Sequence, residues 1–228
     1  TTATFKGDAL AAIVFLKNRG MKNIGVIGHS EGGLIAFMLG AEVEGLNFVI
    51  SLAGTAVSGD QILIEQNRLL LEKSGLSADI VNSYCTLLND IYSLKRSGTP
   101  FDRESKITEL KAKYANLPLQ MTGNIAALLQ PQPWIDFFIS YDPTEALKKI
   151  GCRVLALNGS NDVQVIASQN INALQKHVAS ELLTTKIYPE LNHLFQHSTT
   201  GMPNEYYQIE ETISPEVLKD IVDWIKMK

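Results

Sequence analysis

Four short apolar runs alternate with helical patterns along this chain of 228 residues, and this alternation is the feature that most constrains the fold. The runs are continuous rather than alternating in polarity, which is typical of strands that are covered on both faces. The runs span residues 23–27, 47–53, 153–158 and 184–188. Helical periodicity covers residues 5–19, 32–43, 164–178 and 215–227. Alternation of this kind predicts an α/β fold with a parallel sheet of about four strands.

One long segment interrupts the alternation. Residues 58–133 carry helical periodicity without an intervening strand, as at Tyr84, Leu88 and Ile91. An all-helical insertion in an α/β chain is expected to form a lid over the carboxyl edge of the sheet, where such folds bind their ligands. The predicted organisation is therefore a core made of residues 1–57 and 134–228, with a helical lid at residues 58–133.

Composition and charge exclude several classes of protein. The formal net charge is −4 and no block of Lys and Arg stands out, so nucleic acid is not an expected partner. No apolar run approaches the roughly 20 residues that cross a bilayer, so no membrane span is expected. Cys85 and Cys152 lie far apart, and two buried thiols are favoured over a single bridge. No group has metal-ligand spacing, so neither a metal nor another cofactor is expected.

A serine between glycines stands where the first strand passes into a helix. The residues Gly28-His29-Ser30-Glu31-Gly32 fit the G-x-S-x-G nucleophile elbow. In this turn the serine backbone is strained, and the glycines on either side let the chain pass without Cβ clashes. The backbone N–H of Glu31, at the positive end of the helix, would supply one donor of an oxyanion hole. The alternative interpretation is a tight turn without chemistry.

A nucleophilic serine needs a histidine base and an acid that orients it, and in this motif's fold they follow in the order Ser, acid, His. Asp162 comes just after the third predicted strand, in a glycine-containing loop, and His193 comes just after the fourth. Because parallel strands end at one edge of a sheet, the predicted triad is Ser30, Asp162 and His193. His29, inside the elbow, would point away from the serine and is interpreted as a packing or orienting residue, and His177, at the end of an amphipathic helix, as a surface residue. His197 is a weaker candidate base. Asp142 resembles a helix N-cap and Asp136 lies closer to the lid, and neither follows a strand, so both are weaker candidate acids.

Three segments carry a resemblance to a known family, namely "IGVIGHSEGG", "VLALNGSNDVQV" and "ELNHLFQ". The chain resembles bacterial esterase-type α/β-hydrolases, in the branch grouped with serine aminopeptidases and acyl-transferring thioesterases. The resemblance covers nearly the whole chain and implies a carboxylesterase with Ser30 as nucleophile, Asp162 as acid and His193 as base. The family fold has further strands before the nucleophile, so the chain is expected to hold the carboxyl-terminal portion and to lack the loop with the second oxyanion donor.

Several expectations stay open at this stage. Trp134, Phe137 and Phe138 recur at helical spacing, and they either pack the lid onto the sheet or line the acyl pocket. A sheet that begins at the nucleophile strand would expose an apolar edge, so a homodimer through that edge is an expected partner besides the ester substrate. Peptidase, thioesterase or acyltransferase chemistry on the same triad is an alternative, as is a non-catalytic hydrolase-like module. Nothing in the sequence indicates a cellular compartment.

Overall fold

The computed structural model describes residues 1–227, which divide into two compact units. The first unit, named the core unit, comprises Thr2–Val57 and the residues from Asp142 onward. Ser58–Tyr141, together with Thr1, form the other, called here the helical unit. The helical unit extends past the predicted boundary at residue 133, because the helix that begins at Pro133 buries Ile139 in the apolar cluster of that unit.

The core unit is a parallel α/β structure, as the strand–helix alternation predicts. Its strands are β1 (Gly25–His29), β2 (Phe48–Leu52), β3 (Arg153–Gly159) and β4 (Leu183–Tyr188). Its α-helices are α1 (Thr2–Asn18), α2 (Glu31–Glu42), α9 (Thr144–Lys148), α10 (Ala167–His177) and α11 (Pro215–Lys226). The strand order is β1-β2-β3-β4 and each neighbouring pair is parallel, so the four predicted strands and the fold class are confirmed.

Alternate side chains of the central strands pack into two separate cores. Val49, Val154 and Ala156 belong to a cluster with residues of α1, α2, α9 and α10. Ile50, Leu155 and Leu157 belong to a cluster with residues of α11. Because side chains alternate across a strand, these clusters lie on opposite faces of the sheet. The expected burial of both strand faces is seen in β3 but not in the edge strands β1 and β4, where Ile27 is 51% exposed and Ile187 is 44% exposed.

The helical unit contains only helices and loops. They are α3 (Gly59–Lys73), α4 (Ala78–Arg96), α5 (Arg103–Lys113), α6 (Leu119–Thr122), α7 (Ile125–Leu128) and α8 (Pro133–Ser140). Leu87, Ile91 and Ile125 are fully buried in its own apolar cluster. The buried carboxylate of Asp60, at the start of α3, pairs with Arg96 at the end of α4. In residues 1–227 no helix has the length and apolar content needed to cross a membrane.

Candidate active site

Ser30 is the single residue between the end of β1 and the start of α2. Its backbone angles are φ 57° and ψ −121°, in the left-handed region that non-glycine residues rarely adopt. Two hydrogen bonds hold it there: its N–H donates to the Leu52 carbonyl at 2.9 Å, and its carbonyl accepts from the Gly33 N–H at 2.9 Å. The turn is therefore of the strained strand-to-helix kind that exposes a nucleophile.

The motif indicates two glycines in this turn, but the structure requires a glycine at only one of those two positions and at one further position. A Cβ at Gly28 would lie 1.8 Å from the carbonyl oxygen of Gly32, which no side chain tolerates. A Cβ at Gly32 would meet nothing within 4 Å, so the prediction that this glycine avoids a clash is wrong. The second close approach is instead at Gly33, where a Cβ would lie 2.5 Å from the Cα of Gly54 in the loop after β2.

Asp162 and His193 are brought into direct contact from the loops that follow β3 and β4. The His193 Nδ1–H donates to Asp162 Oδ2 at 2.8 Å, and the two side chains are 6% and 0% exposed. Asp162 Oδ1 accepts the backbone N–H groups of Gln164 and Val165 at 2.8 and 2.9 Å. With Nδ1 donating to a buried carboxylate, the neutral imidazole keeps its Nε2 free of a proton, as a general base requires.

The loop that carries His193 is shaped by Asn192, which sequence analysis missed. Asn192 is fully buried, and its Oδ1 accepts the backbone N–H groups of Leu194 and Gln196 at 2.9 and 3.0 Å. Its Nδ2 donates to Gln196 Oε1 at 3.0 Å. The only sequence signal was an amide residue directly before the histidine in "ELNHLFQ", since Asn commonly bonds the backbone two residues ahead.

His29 contacts His193 from the nucleophile strand. The His29 Nε2 lies 2.8 Å from the backbone oxygen of His193, and since a carbonyl only accepts, Nε2 carries the proton. The two imidazole rings lie 4.6 Å apart between centroids, with an interplanar angle of 48°. Burial, more than any other influence, lowers the pKa of His29. The predicted packing or orienting role of His29 therefore has a definite target in the backbone of His193.

The other candidate bases and acids have different partners. His197 is exposed and its Nδ1 lies 2.9 Å from Glu211 Oε2, while His177 lies in the last turn of α10. Asp142 accepts the backbone N–H of Thr144 at 2.9 Å near the start of α9. Asp136, in the helical unit, pairs with Lys95 at 2.7 Å. None of these contacts joins a candidate base to a candidate acid.

Ser30 itself makes no hydrogen bond with the His193 ring within residues 1–227, so the structure places the two on neighbouring loops without direct hydrogen bonding. Glu31 begins α2, which puts its backbone N–H at the positive end of a helix of 12 residues. The Glu31 carboxylate accepts a hydrogen bond from Thr2 Oγ1 at 2.5 Å. This contact ties the first residue of α2 to the start of α1.

The predicted pocket aromatics lie on α8 in the helical unit. Trp134 is 43% exposed and stacks on the buried Phe138 with 6.0 Å between ring centroids. Phe137 stacks on Tyr141 with 5.5 Å between centroids. These contacts explain the helical spacing of the four aromatics, because residues four apart lie on one face of a helix.

Backbone strain concentrates at the carboxyl edge of the sheet. The non-glycine residues with positive φ are Ser30, Ala53, Glu190 and Phe195, and each lies in a loop that follows a strand. A cavity of about 520 Å³ opens beside them in the core unit, with Leu52, Leu194 and His29 among its lining residues. Strained residues cluster at sites where geometry serves function, so this edge is the candidate active site.

A parallel sheet between helices, a strained serine between β1 and α2 and a buried Asp–His pair at the same sheet edge are together the features of an α/β-hydrolase. The chain belongs to the X-Pro dipeptidyl-peptidase (S15) family, which matches residues 17–199. The resemblance to α/β-hydrolases is thereby confirmed, and the protein is a hydrolase of that superfamily.

Solved structures agree with this fold at low sequence identity. The chain is similar to the proline iminopeptidase of Mycobacterium smegmatis, with 12% identity, a TM-score of 0.51, and coverage of 99% of this chain and 71% of that one. It is also similar to VinJ, with 15% identity, a TM-score of 0.52, and coverage of 99% and 72%. No curated protein matches the sequence. At these identities the structural likeness supports the fold alone.

Proposed function

We propose that the protein is a carboxylesterase that cleaves esters through an acyl-enzyme, with Ser30 as nucleophile, His193 as base and Asp162 as orienting acid. The observation that carries this proposal is the 2.8 Å hydrogen bond between His193 Nδ1 and the fully buried Asp162 carboxylate. An imidazole held in this way presents Nε2 as a proton acceptor, and the nearby strained turn presents a hydroxyl.

The reaction begins when Ser30 Oγ attacks the ester carbonyl carbon and His193 Nε2 takes the hydroxyl proton. The oxygen of the tetrahedral intermediate becomes negative, and the Glu31 N–H, at the positive end of α2, donates a hydrogen bond to it. His193 then gives its proton to the leaving alcohol as the carbon–oxygen bond breaks, which leaves the acyl group on Ser30.

Water repeats these steps on the acyl-enzyme and releases the carboxylic acid. Asp162 stays ionised throughout and stabilises the imidazolium form of His193. The Ser30–His193 hydrogen bond of this mechanism is of the kind that often tightens only when substrate is bound. The second oxyanion donor is not assigned to a residue of this chain.

For the acyl group, we propose that the helical unit acts as a lid and that Trp134, Phe137 and Phe138 contribute to the binding surface. The half-exposed Trp134 supports this, because pockets for apolar ligands are mostly lined by apolar and aromatic side chains. W134A is expected to raise KM more for long-chain than for short-chain esters, with kcat for an acetyl ester unchanged. A uniform effect on all chain lengths would assign these residues to packing.

A peptidase is the second candidate, favoured by the family match to X-Pro dipeptidyl-peptidases. The same three residues would cleave an amide, with His193 protonating the leaving amine. Thioesterase or acyltransferase chemistry would use the same acyl-Ser30. These activities differ in the leaving group and the acceptor, so substrate comparison separates them.

A fluorophosphonate probe and a substrate panel test the proposal. We expect covalent labelling at Ser30, no labelling or turnover in S30A, and normal behaviour of S97A, which changes an exposed serine. The panel comprises p-nitrophenyl esters from acetate to laurate, a thioester, and prolyl and X-Pro p-nitroanilides. A higher kcat/KM for an anilide than for every ester would favour the peptidase. Folded wild-type protein that is not labelled would indicate a non-catalytic module.

A further inference from the structure

We propose that His29 is a positioning residue for this reaction, which holds the backbone of His193 in place relative to Ser30. The inference rests on the proposed function of Ser30 and His193. His29 directly precedes Ser30 in the chain, yet its ring reaches a residue 164 positions away and donates to its carbonyl at 2.8 Å. One side chain thus connects the nucleophile strand to the loop that carries the base.

Two anchors together fix the position of the His193 ring. Asp162 holds the ring through Nδ1 at 2.8 Å, which sets its tautomer and its rotation. His29 holds the main-chain oxygen of the same residue at 2.8 Å, which sets where the side chain begins. Because the Nε2 of His193 must meet Ser30 Oγ at hydrogen-bond distance, a shift of its backbone moves the base directly.

The loop's other hydrogen bonds run to different segments. Those of the buried Asn192 side chain stay within the loop itself, at Leu194 and Gln196. Others join the loop to the segment after β3, where the Asn161 N–H donates to the Leu191 carbonyl at 2.9 Å. Among the hydrogen bonds of residues 1–227, the one from His29 joins β1 to residue 193.

The charge state of His29 suits the role. Burial lowers its pKa, so the ring is a neutral donor at neutral pH. The titratable groups around it are His193 and Asp162 at the sheet edge, with Glu210 and Glu211 across the adjoining cavity. The ring centroids of His29 and His193 lie 4.6 Å apart, so a positively charged His29 would oppose formation of the His193 imidazolium. A neutral His29 does not oppose it.

Three substitutions separate the donated hydrogen bond from simple packing. H29Q keeps a donor, because the amide nitrogen of Gln is as many bonds from Cα as the Nε2 of His. H29L and H29M remove the donor, one with a branched and one with an unbranched side chain, so that crowding in either alone does not decide the result. H177Q is the matched control, since His177 lies at the end of α10.

With p-nitrophenyl acetate, we expect H29L and H29M to lower kcat by about 10- to 100-fold, the scale of misplacing a catalytic group by an ångström or less. KM should change far less, and H29Q should restore kcat to within about threefold of wild type, as should H177Q. Equal losses in H29Q and the donor-free variants would overturn the proposal, as would wild-type kcat in H29L and H29M.

A second readout keeps this test separate from the proposed function. The ring resonances of His193, assigned by their loss in H193A, are followed by NMR in each variant. All three variants lack the aromatic ring of His29, so H29Q is the reference for the hydrogen bond, and we expect the His193 resonances of H29L and H29M to differ from those of H29Q, whether or not the protein is labelled by a fluorophosphonate. Unlabelled wild type would refute the serine hydrolase, while identical His193 resonances in H29Q, H29L and H29M would refute the anchoring by His29.

Discussion

Replacing Asp162 with asparagine separates the catalytic from the structural contribution of the buried carboxylate. The backbone N–H groups of Gln164 and Val165 both point at Oδ1, so this atom stays an oxygen in D162N. The amide nitrogen then faces His193 Nδ1, where the carboxylate oxygen lies 2.8 Å away in the wild type. An amide N–H only donates, so Nδ1 must accept and the ring proton moves to Nε2. In the proposed mechanism, His193 can then no longer take the Ser30 proton.

The expected effects on rate and stability differ in size. A tautomer inversion of this kind in the Ser-His-Asp triad of serine proteases lowers kcat by about 10⁴-fold, and a similar loss is expected for D162N. This corresponds to about 5.4 kcal/mol of activation free energy. The loss of charge from three hydrogen bonds, partly offset by relief of desolvation, should lower the free energy of unfolding by about 1–2 kcal/mol. Tm should fall by about 2–8 °C.

The assay pairs kcat for p-nitrophenyl acetate with calorimetric Tm. D142N is the matched control, because Asp142 is exposed and its carboxylate accepts the backbone N–H of Thr144 near the start of α9. A folded D162N that keeps more than a tenth of wild-type kcat would refute the role given to Asp162. A loss of activity that is fully explained by a loss of folded protein would also refute this role.

Gly28→Ala should lower the free energy of unfolding by about 3 kcal/mol, because its Cβ would lie 1.8 Å from a backbone oxygen. A Cβ at Gly32 would lie in open space, so Gly32→Ala should be neutral or should stabilise the fold by up to about 1 kcal/mol. Equal losses in urea unfolding would contradict this steric account. A hydrogen bond from Lys186 is the largest influence that lowers the pKa of the Asp220 carboxyl group. The Asp220 carboxylate therefore stabilises the folded state above its unfolded-state pKa of about 3.9, and this contribution is lost as pH falls through the folded-state pKa. D220N should flatten the acid-side decline of Tm, and an unchanged decline would exclude this linkage. We also propose a homodimer through the free edge of β1, so I27K at this half-exposed position should shift sedimentation toward monomer, and a wild type that is monomeric at all concentrations would refute it.

The fold was predictable where a local pattern has one physical interpretation. β3 is buried along nearly its whole length, so its continuous apolar run indicated a central parallel strand without ambiguity. The nearness of Asp162 and His193 was predictable because each follows a strand, and the ends of parallel strands share an edge, where the two side chains lie 2.8 Å apart. The position of Ser30 between a strand and a helix was predictable from the G-x-S-x-G motif, and its role as nucleophile stays a prediction.

The rest depended on contacts between segments that are far apart in sequence. The spacing of Trp134 and Phe138 predicts a helix but does not indicate which apolar cluster the helix joins, so the boundary at residue 133 was placed too early for the helical unit. The approach of Gly33 in α2 to Gly54, and the hydrogen bond from His29 at the end of β1 to His193, depend on how a strand, a helix and two loops pack together at the sheet edge. Neither leaves a periodic signal in the sequence.

The backbone conformation of Ser30 is unfavourable for stability, and the hydroxyl of the same residue is the proposed nucleophile. Alanine at this position keeps the φ of 57°, so S30A retains the unfavourable geometry, while glycine adopts such angles freely. S30G should therefore unfold at higher temperature than either, although it has lost the hydroxyl. With Ser30 as the proposed nucleophile, S30G is inactive, so a search for thermostable variants that does not measure turnover would select it, and selection for stability alone would remove the function.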